Sequence, residues 1–242
     1  MEAARKVIQI QKDLYHNIRG LNHKGHITIG VTSQFGLRML TEIIPAYKKV
    51  FPQVTIEITE SNVPTLTRMI LEEGIDCAVM ALNCADAFAE EQVSLLRKEE
   101  VLFAVPAAHG YCLRNRTGIM TREELIHEFK DENFMLSKKG STLRELADRI
   151  FASAGFQPST MCETNSIIAT RAMVAKGIGV TFIARSCVSD RENVAYYSLN
   201  PRMYRYNALV RRKNLIQNEP ERALFQHIRG YFERQDEDGP AD

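Results

Sequence analysis

The sequence predicts an α/β protein of two lobes. Three features carry that reading: strand-like and helix-like stretches alternate from residue 26 onward, glycines and one Phe-Pro pair stop the helices, and the alternation runs through two cycles of similar size. At 242 residues the chain is long enough for a full hydrophobic core.

The first cycle opens with the strand His26 to Thr32. A helix from Phe35 to Val50 follows, with Leu37, Leu40, Ile44 and Tyr47 on one stripe and Pro45 inside it as a possible kink. Phe51-Pro52 ends that helix, and Val54 to Thr59 alternates like a half-buried strand. A second helix carries Leu66, Met69 and Ile70 and stops at Glu73-Gly74, before a short buried strand from Asp76 to Leu82. Val101 to Pro106 is a further strand. This β-α-β-α-β order implies a parallel sheet with crossover helices.

The second cycle begins with a helix from Thr121 to Phe129, where Glu124 stands at the capping-box offset. Strands are expected at Phe134–Ser137, Thr160–Glu163 and Ile178–Ile183. Between them lie helices at Thr142–Ala154, ended by Gly155, and Ser166–Lys176, ended by Gly177. Strands at Val194–Leu199 and Tyr204–Arg211 and a helix from Pro220 to Phe232 complete the fold, and residues 236–242 read as a frayed acidic tail.

Residues 1–24 differ from the rest. Ala4, Val7, Gln11, Leu14, Ile18 and Leu21 form a narrow apolar seam on a helix, interrupted by one polar residue. A short seam of this kind needs a partner to be stable in water, and an intermolecular contact is expected.

Composition narrows the function. Lys and Arg number 31 against 30 Asp and Glu, which argues against a nucleic-acid or membrane-surface footprint for these residues. Neither an apolar run of membrane-spanning length nor a signal peptide is visible, so a cytoplasmic protein is expected. The five cysteines, Cys77, Cys84, Cys112, Cys162 and Cys187, read as reduced thiols, with a Cys77–Cys84 redox pair as the alternative.

The search for catalytic chemistry is negative. Gly177-Ile178-Gly179 falls at a helix-to-strand junction, where a dinucleotide fingerprint needs strand-to-helix, so it reads as a helix stop before a buried strand. His16, His23 and His26 lack ligand partners at metal spacing. Glu90-Glu91 and Glu99-Glu100 read as solvated turns, and Arg211-Arg212-Lys213 as a surface edge. No enzyme, cofactor or metal is expected.

Polar residues do collect where strands hand over to helices: Thr32-Ser33-Gln34, Ser61-Asn62, Ser137 to Thr142 and Thr164-Asn165-Ser166. In open α/β sheets ligands bind at the carboxyl ends of strands, where helix N-termini offer N–H groups and partial positive charge. Each residue could equally be an N-cap worth about 1 kcal/mol. Four such junctions, two per lobe, point to an interlobe pocket.

The order and spacing of several stretches resemble the effector-binding domain of LysR-type transcriptional regulators. They are Ile27–Gly30, Leu40–Pro52, Glu57–Glu60, Glu73–Val79, Val101–His109 and Met173–Ile183. The resemblance implies a periplasmic-binding-protein-like (type 2) fold: two Rossmann-like lobes joined by two crossovers and preceded by an amphipathic linker helix. Lobe I is placed at 25–104 and 207–235, lobe II at 105–206, and the linker helix at 1–24. The family's N-terminal winged helix-turn-helix is missing, so a truncated regulator is expected, with a free-standing sensor as the alternative, and DNA binding belongs to the absent part. Carried over by position, the implied pocket residues are Thr32, Ser33, Gln34, Phe35, Ser61, Asn62, Ser137, Ser141, Thr164 and Phe182. The polar ones would bond a small effector, a carboxylate anion or other metabolite, and Phe35 and Phe182 would wall the cleft. Homodimers or tetramers, pairing through the Phe35–Val50 helix and the strand from Val54, would relay binding to DNA. A solute receptor of the same fold and a two-lobed enzyme are the rival readings. The first lacks its signal peptide, and the second lacks convergent acid/base residues.

Overall fold

Ile27, Ile29 and Val31 alternate along β1 (His26–Val31), and all three are buried. Alternate burial of this kind makes a strand central to a sheet. The computed structural model describes residues 25–32, 34–84, 88–213, 215 and 217–237. The seam helix expected at 1–24 lies outside the described residues, as do 238–242 of the expected tail. The chain divides into two units: one contains 25–80, 88–97 and 208–237, the other 81–84 and 98–207.

In the first unit, β1 pairs in parallel with β2 (Thr55–Glu60) on one side and β3 (Cys77–Leu82) on the other. Helices α1 (Gln34–Val50) and α2 (Val63–Leu71) make the connections. Pro45 sits within α1 on its exposed side, so the hydrogen bond it deletes faces water and the helix continues. Gly30 lets α2 approach: a Cβ there would lie 2.7 Å from Leu66 Cδ2 and 2.9 Å from Ile75. The C-terminal helix α7 (Glu219–Glu237) packs on α1, where the Phe35 ring meets Tyr231 and Phe232 at 5.9 and 5.5 Å. β3, buried at every position, sits in the middle of this layer, as its unbroken apolar run predicts.

The second unit repeats the pattern. β6 (Asn133–Leu136) pairs in parallel with β7 (Ser159–Glu163) and, through a Phe134–Val180 bridge, with the chain entering β8 (Thr181–Ala184). Helices α5 (Thr142–Ala154) and α6 (Ile167–Ala175) connect them. Phe134 anchors an aromatic core, with ring centroids 5.0 Å from Phe151, 6.1 Å from Phe103 and 6.4 Å from Phe182. The α4 helix (Arg122–Phe129) starts on the expected capping box. Thr121 Oγ1 accepts from Glu124 N at 3.2 Å, and Glu124 Oε2 accepts from Thr121 N at 2.7 Å. Gly155 and Gly177 adopt left-handed backbones (φ 76° and 74°) at the ends of α5 and α6.

Several expectations need correction. The strand expected at Val101 begins at Val93 and forms the long β4 (Val93–Pro106), and the two late strands are one, β9 (Val194–Arg211). Glu99 and Glu100 therefore do not form a solvated turn. They lie within β4 with 3% and 7% of their surface exposed. Arginines draw them in: Arg205 Nε donates to Glu99 Oε2 at 2.8 Å, and Arg185 donates to Glu100. Arg212 is likewise buried rather than a surface residue, with Nε 3.3 Å from Asp76 Oδ1. Asp76 also accepts the backbone N–H and hydroxyl of Thr28, each at 2.8 Å. The strand expected at Ile178 starts three residues later, at Thr181. A short helix, α3 (Gly110–Arg114), and a short strand, β5 (Ile119–Thr121), were not foreseen.

Candidate functional site

The strand register decides which polar junction residues become neighbours. In the first unit Val31 pairs with Glu60, so Thr32 and Ser61 leave their strands side by side. Ser61 N donates to Val31 O at 3.1 Å, and Thr32 N donates to Val79 O at 3.3 Å. Asn62 caps α2, its Oδ1 accepting from Thr65 N at 2.9 Å. Ser33 lies outside the described residues, and Gln34 is the first residue of α1.

The second unit has the same arrangement. Leu136 pairs with Glu163, so Ser137 and Thr164 emerge together, and Thr164 N donates to Leu136 O at 3.0 Å. Ser141 caps α5, accepting from Arg144 N at 3.2 Å, and Thr164 Oγ1 accepts from Ser166 N at 3.1 Å. The Lys138 N–H is held by Asn165 Oδ1 at 3.0 Å, which ties the loop after β6 to the loop after β7.

These bonds engage each hydroxyl as an acceptor through one of its two lone pairs. Ser141 and Thr164 each use an oxygen lone pair for a backbone N–H, and a hydroxyl has only one proton to donate. That proton faces no acceptor in the bonds these side chains make among the described residues. Each O–H proton remains available to an acceptor, and a carboxylate or phosphate oxygen is one such group.

Phe35 and Phe182 stand elsewhere. Each is 3% exposed and belongs to the aromatic core of its own unit, Phe35 beside Tyr231 and Phe232, Phe182 beside Phe103 and Phe151. Aromatic residues next to strand ends serve here as core.

Sequence reasoning missed Arg144. Its guanidinium reaches Asp148 Oδ1 at 2.8 Å, Glu163 Oε1 and the Ser137 carbonyl at 3.2 Å. It thereby links the ends of β6 and β7 to α5, and the Arg144 bond holds the Glu163 carboxyl below the usual carboxylate range. The i,i+4 spacing of Arg144 and Asp148 was the available signal. The described residues contain no cluster of His, Cys, Asp and Glu able to hold a metal. All five cysteines are free thiols. Among the described residues no helix is long and apolar enough to cross a membrane.

The repeated parallel βαβ layers make a mixed α/β fold of the periplasmic-binding-protein type. The LysR substrate binding domain family matches residues 22–233, and the chain belongs to that family. The match is to the family's substrate- or effector-binding domain and covers most of the chain. The chain is 24% identical over 169 residues to a probable RuBisCO transcriptional regulator of Trieres chinensis, an alignment covering 68% of this chain and 53% of that protein. The chain thus spans about half the length of that curated relative. Among solved structures, it resembles the effector binding domain of QuiR in complex with shikimate (TM-score 0.67, 19% identity, 87% of this chain and 98% of that one). It also resembles the BenM effector binding domain with its effector benzoate (TM-score 0.65, 22% identity, 89% and 96%).

Proposed function

We propose that this domain senses a small anionic metabolite, a carboxylate or phosphate, at the strand-edge junctions of its two units. Thr32, Ser61 and Asn62 would serve from the first and Ser137, Ser141 and Thr164 from the second. The single observation that carries this reading is the pair of Ser141 and Thr164 hydroxyls at the strand-edge junctions, each accepting a backbone N–H and keeping its O–H proton for a partner. Two solved relatives were captured with shikimate and benzoate, both small and both able to present a carboxylate. The effector acts by its different affinity for two arrangements of the protein, and a coupling of about 1–3 kcal/mol is enough to alter DNA binding in the intact regulator. The site of action would be the cytoplasm.

Copies of the domain would pair through the outer face of α1 and the edge strand β2. Among the described residues β2 has no partner beyond β1 in the sheet order, and Val50 and Ile58 are 67% and 40% exposed. Sedimentation of the chain as a monomer at micromolar concentration would count against this pairing.

The effector reading is tested by thermal-shift screening against small carboxylates and phosphates, with shikimate and benzoate included. Hits are then titrated by calorimetry on wild type, Ser141→Ala and Thr164→Ala. Each substitution should weaken binding about tenfold, the equivalent of one charge-assisted hydrogen bond. A hit bound equally by all three proteins would place the ligand elsewhere.

A further inference from the structure

A cavity of about 310 Å³ opens in the first unit where residues 91–92 meet residues 211–215, lined by Glu91, Gln92, Arg211, Arg212, Lys213 and Leu215. The two segments are tied together beside it. Gln92 Nε2 donates to the Arg211 carbonyl at 2.9 Å, and Arg211 Nη2 donates to the Glu91 carbonyl. Both segments adjoin the ends of long strands, β4 starting at Val93 and β9 finishing at Arg211.

The three cations differ in their surroundings. Arg212 has Asp76 at 3.3 Å and Glu73 at 3.9 Å, so its charge is matched. Arg211 hydrogen-bonds only to a neutral carbonyl and has no carboxylate at ion-pair distance among the described residues; nor does Lys213. The Arg211 Nε–H is buried with no hydrogen-bond partner. A buried charged donor left unsatisfied is rare in native proteins and signals a missing acceptor such as water or an ion. The one carboxylate of the lining, Glu91, is exposed and offsets part of this charge.

We propose that this cavity is a binding site for a small oxyanion, separate from the strand-edge junctions. A planar guanidinium and a flexible ammonium on one rim suit a tetrahedral phosphate or sulfate. Two unmatched cations against one exposed carboxylate favour a dianion over a monoanion. The volume lies at the lower end for small-molecule sites, which fits inorganic phosphate or the phosphate group of a small metabolite. An anion held there would bind Arg211 and Lys213 together and tighten the tie between the start of β4 and the end of β9.

The test is titration of the chain with inorganic phosphate by calorimetry, with sodium chloride at matched ionic strength as reference and sulfate and acetate as parallel arms. Saturable binding of one phosphate per chain that depends on Lys213 is expected, with sulfate similar and acetate weaker. Lys213→Ala, an exposed position, should weaken phosphate about tenfold without moving the melting temperature in chloride, and Arg211→Gln should weaken it at least as much. The phosphate binding that Lys213→Ala weakens should be the same in Ser141→Ala and Thr164→Ala, whereas any separate event lost in those two variants belongs to the strand-edge site. Heats indistinguishable from chloride, or equal affinity in wild type and Lys213→Ala, would overturn the proposal. So would binding lost in Thr164→Ala but kept in Lys213→Ala, which would place the phosphate at the strand-edge site.

Discussion

Glu99 and Arg205 face each other across β4 and β9 at 2.8 Å inside the second unit, both almost wholly removed from water. The Glu99 carboxylate also accepts from Asn207 Nδ2 at 3.2 Å and from Ser186 N at 3.0 Å. Burial of a charge is tolerated only when its partners are all in place. Arg205→Ala strands a carboxylate in the interior and should cost about 3–5 kcal/mol. Urea unfolding followed by circular dichroism reads this. The double variant Glu99→Leu/Arg205→Met should recover much of the loss, because it removes both charges; a double variant as unstable as the single would show that packing, not charge, is at stake.

Much of the fold was legible because it rests on short-range signals. The alternation of Ile27, Ile29 and Val31, the Thr121/Glu124 spacing and the glycines at 155 and 177 each dictate a local geometry that the surrounding structure leaves in place. Glu99 and Glu100 were misread for the opposite reason. Two adjacent carboxylates look solvated until arginines more than eighty residues away arrive to match them. The continuous β9 was hidden by Asn200-Pro201-Arg202, which reads as a break. At the candidate site, the hydroxyl and amide positions were visible as strand-to-helix junctions, but Arg144 was not, since its role depends on Glu163 and on the Ser137 carbonyl.

The two glycines of Gly177-Ile178-Gly179 should respond differently to alanine. At Gly177 a Cβ meets open space, and only the positive φ of 74° is strained, so Gly177→Ala should cost about 1–2 kcal/mol. At Gly179 a Cβ would lie 2.2 Å from the Asn133 carbonyl oxygen, which also accepts the Val180 N–H at 2.8 Å. Gly179→Ala must push β6 away, at a cost of roughly 1–3 kcal/mol or more. Gly177→Asn should be milder than Gly177→Ala, whereas no substitution at 179 should be mild; thermal melts of the set compare them.

Burial pushes the Tyr111 hydroxyl up to about 12 from an ordinary 10.0, an effect partly offset by the Asn115 amide that donates to it. The folded protein therefore keeps this proton where the unfolded chain loses it. Stability from this group is complete below pH 10 and falls as pH climbs toward 12. Unfolding free energy measured across that window should decline, and Tyr111→Phe should make the decline shallower. Tyr47 and Cys77, both raised by burial, add to the slope in the same direction.

The capping box at the start of α4 offers a smaller, cleaner effect. Thr121→Ala removes the acceptor for Glu124 N and should cost about 1 kcal/mol, while Thr121→Ser should cost little. Equal melting temperatures for Thr121→Ala and wild type would show that water replaces the cap without loss.

The first unit is assembled from the two ends of the described chain: the core around β1 and α1 includes Leu209, Leu224, Phe225, Ile228, Tyr231 and Phe232. During synthesis the residues up to 97 emerge long before that closing helix exists, and their greasy faces stay uncovered while the second unit is still being translated. The second unit's residues are contiguous apart from 81–84, so it can mature first on the ribosome. A stop codon or proteolytic nick ahead of residue 208 would leave the earlier half without a lid, in a form that chaperones must shield.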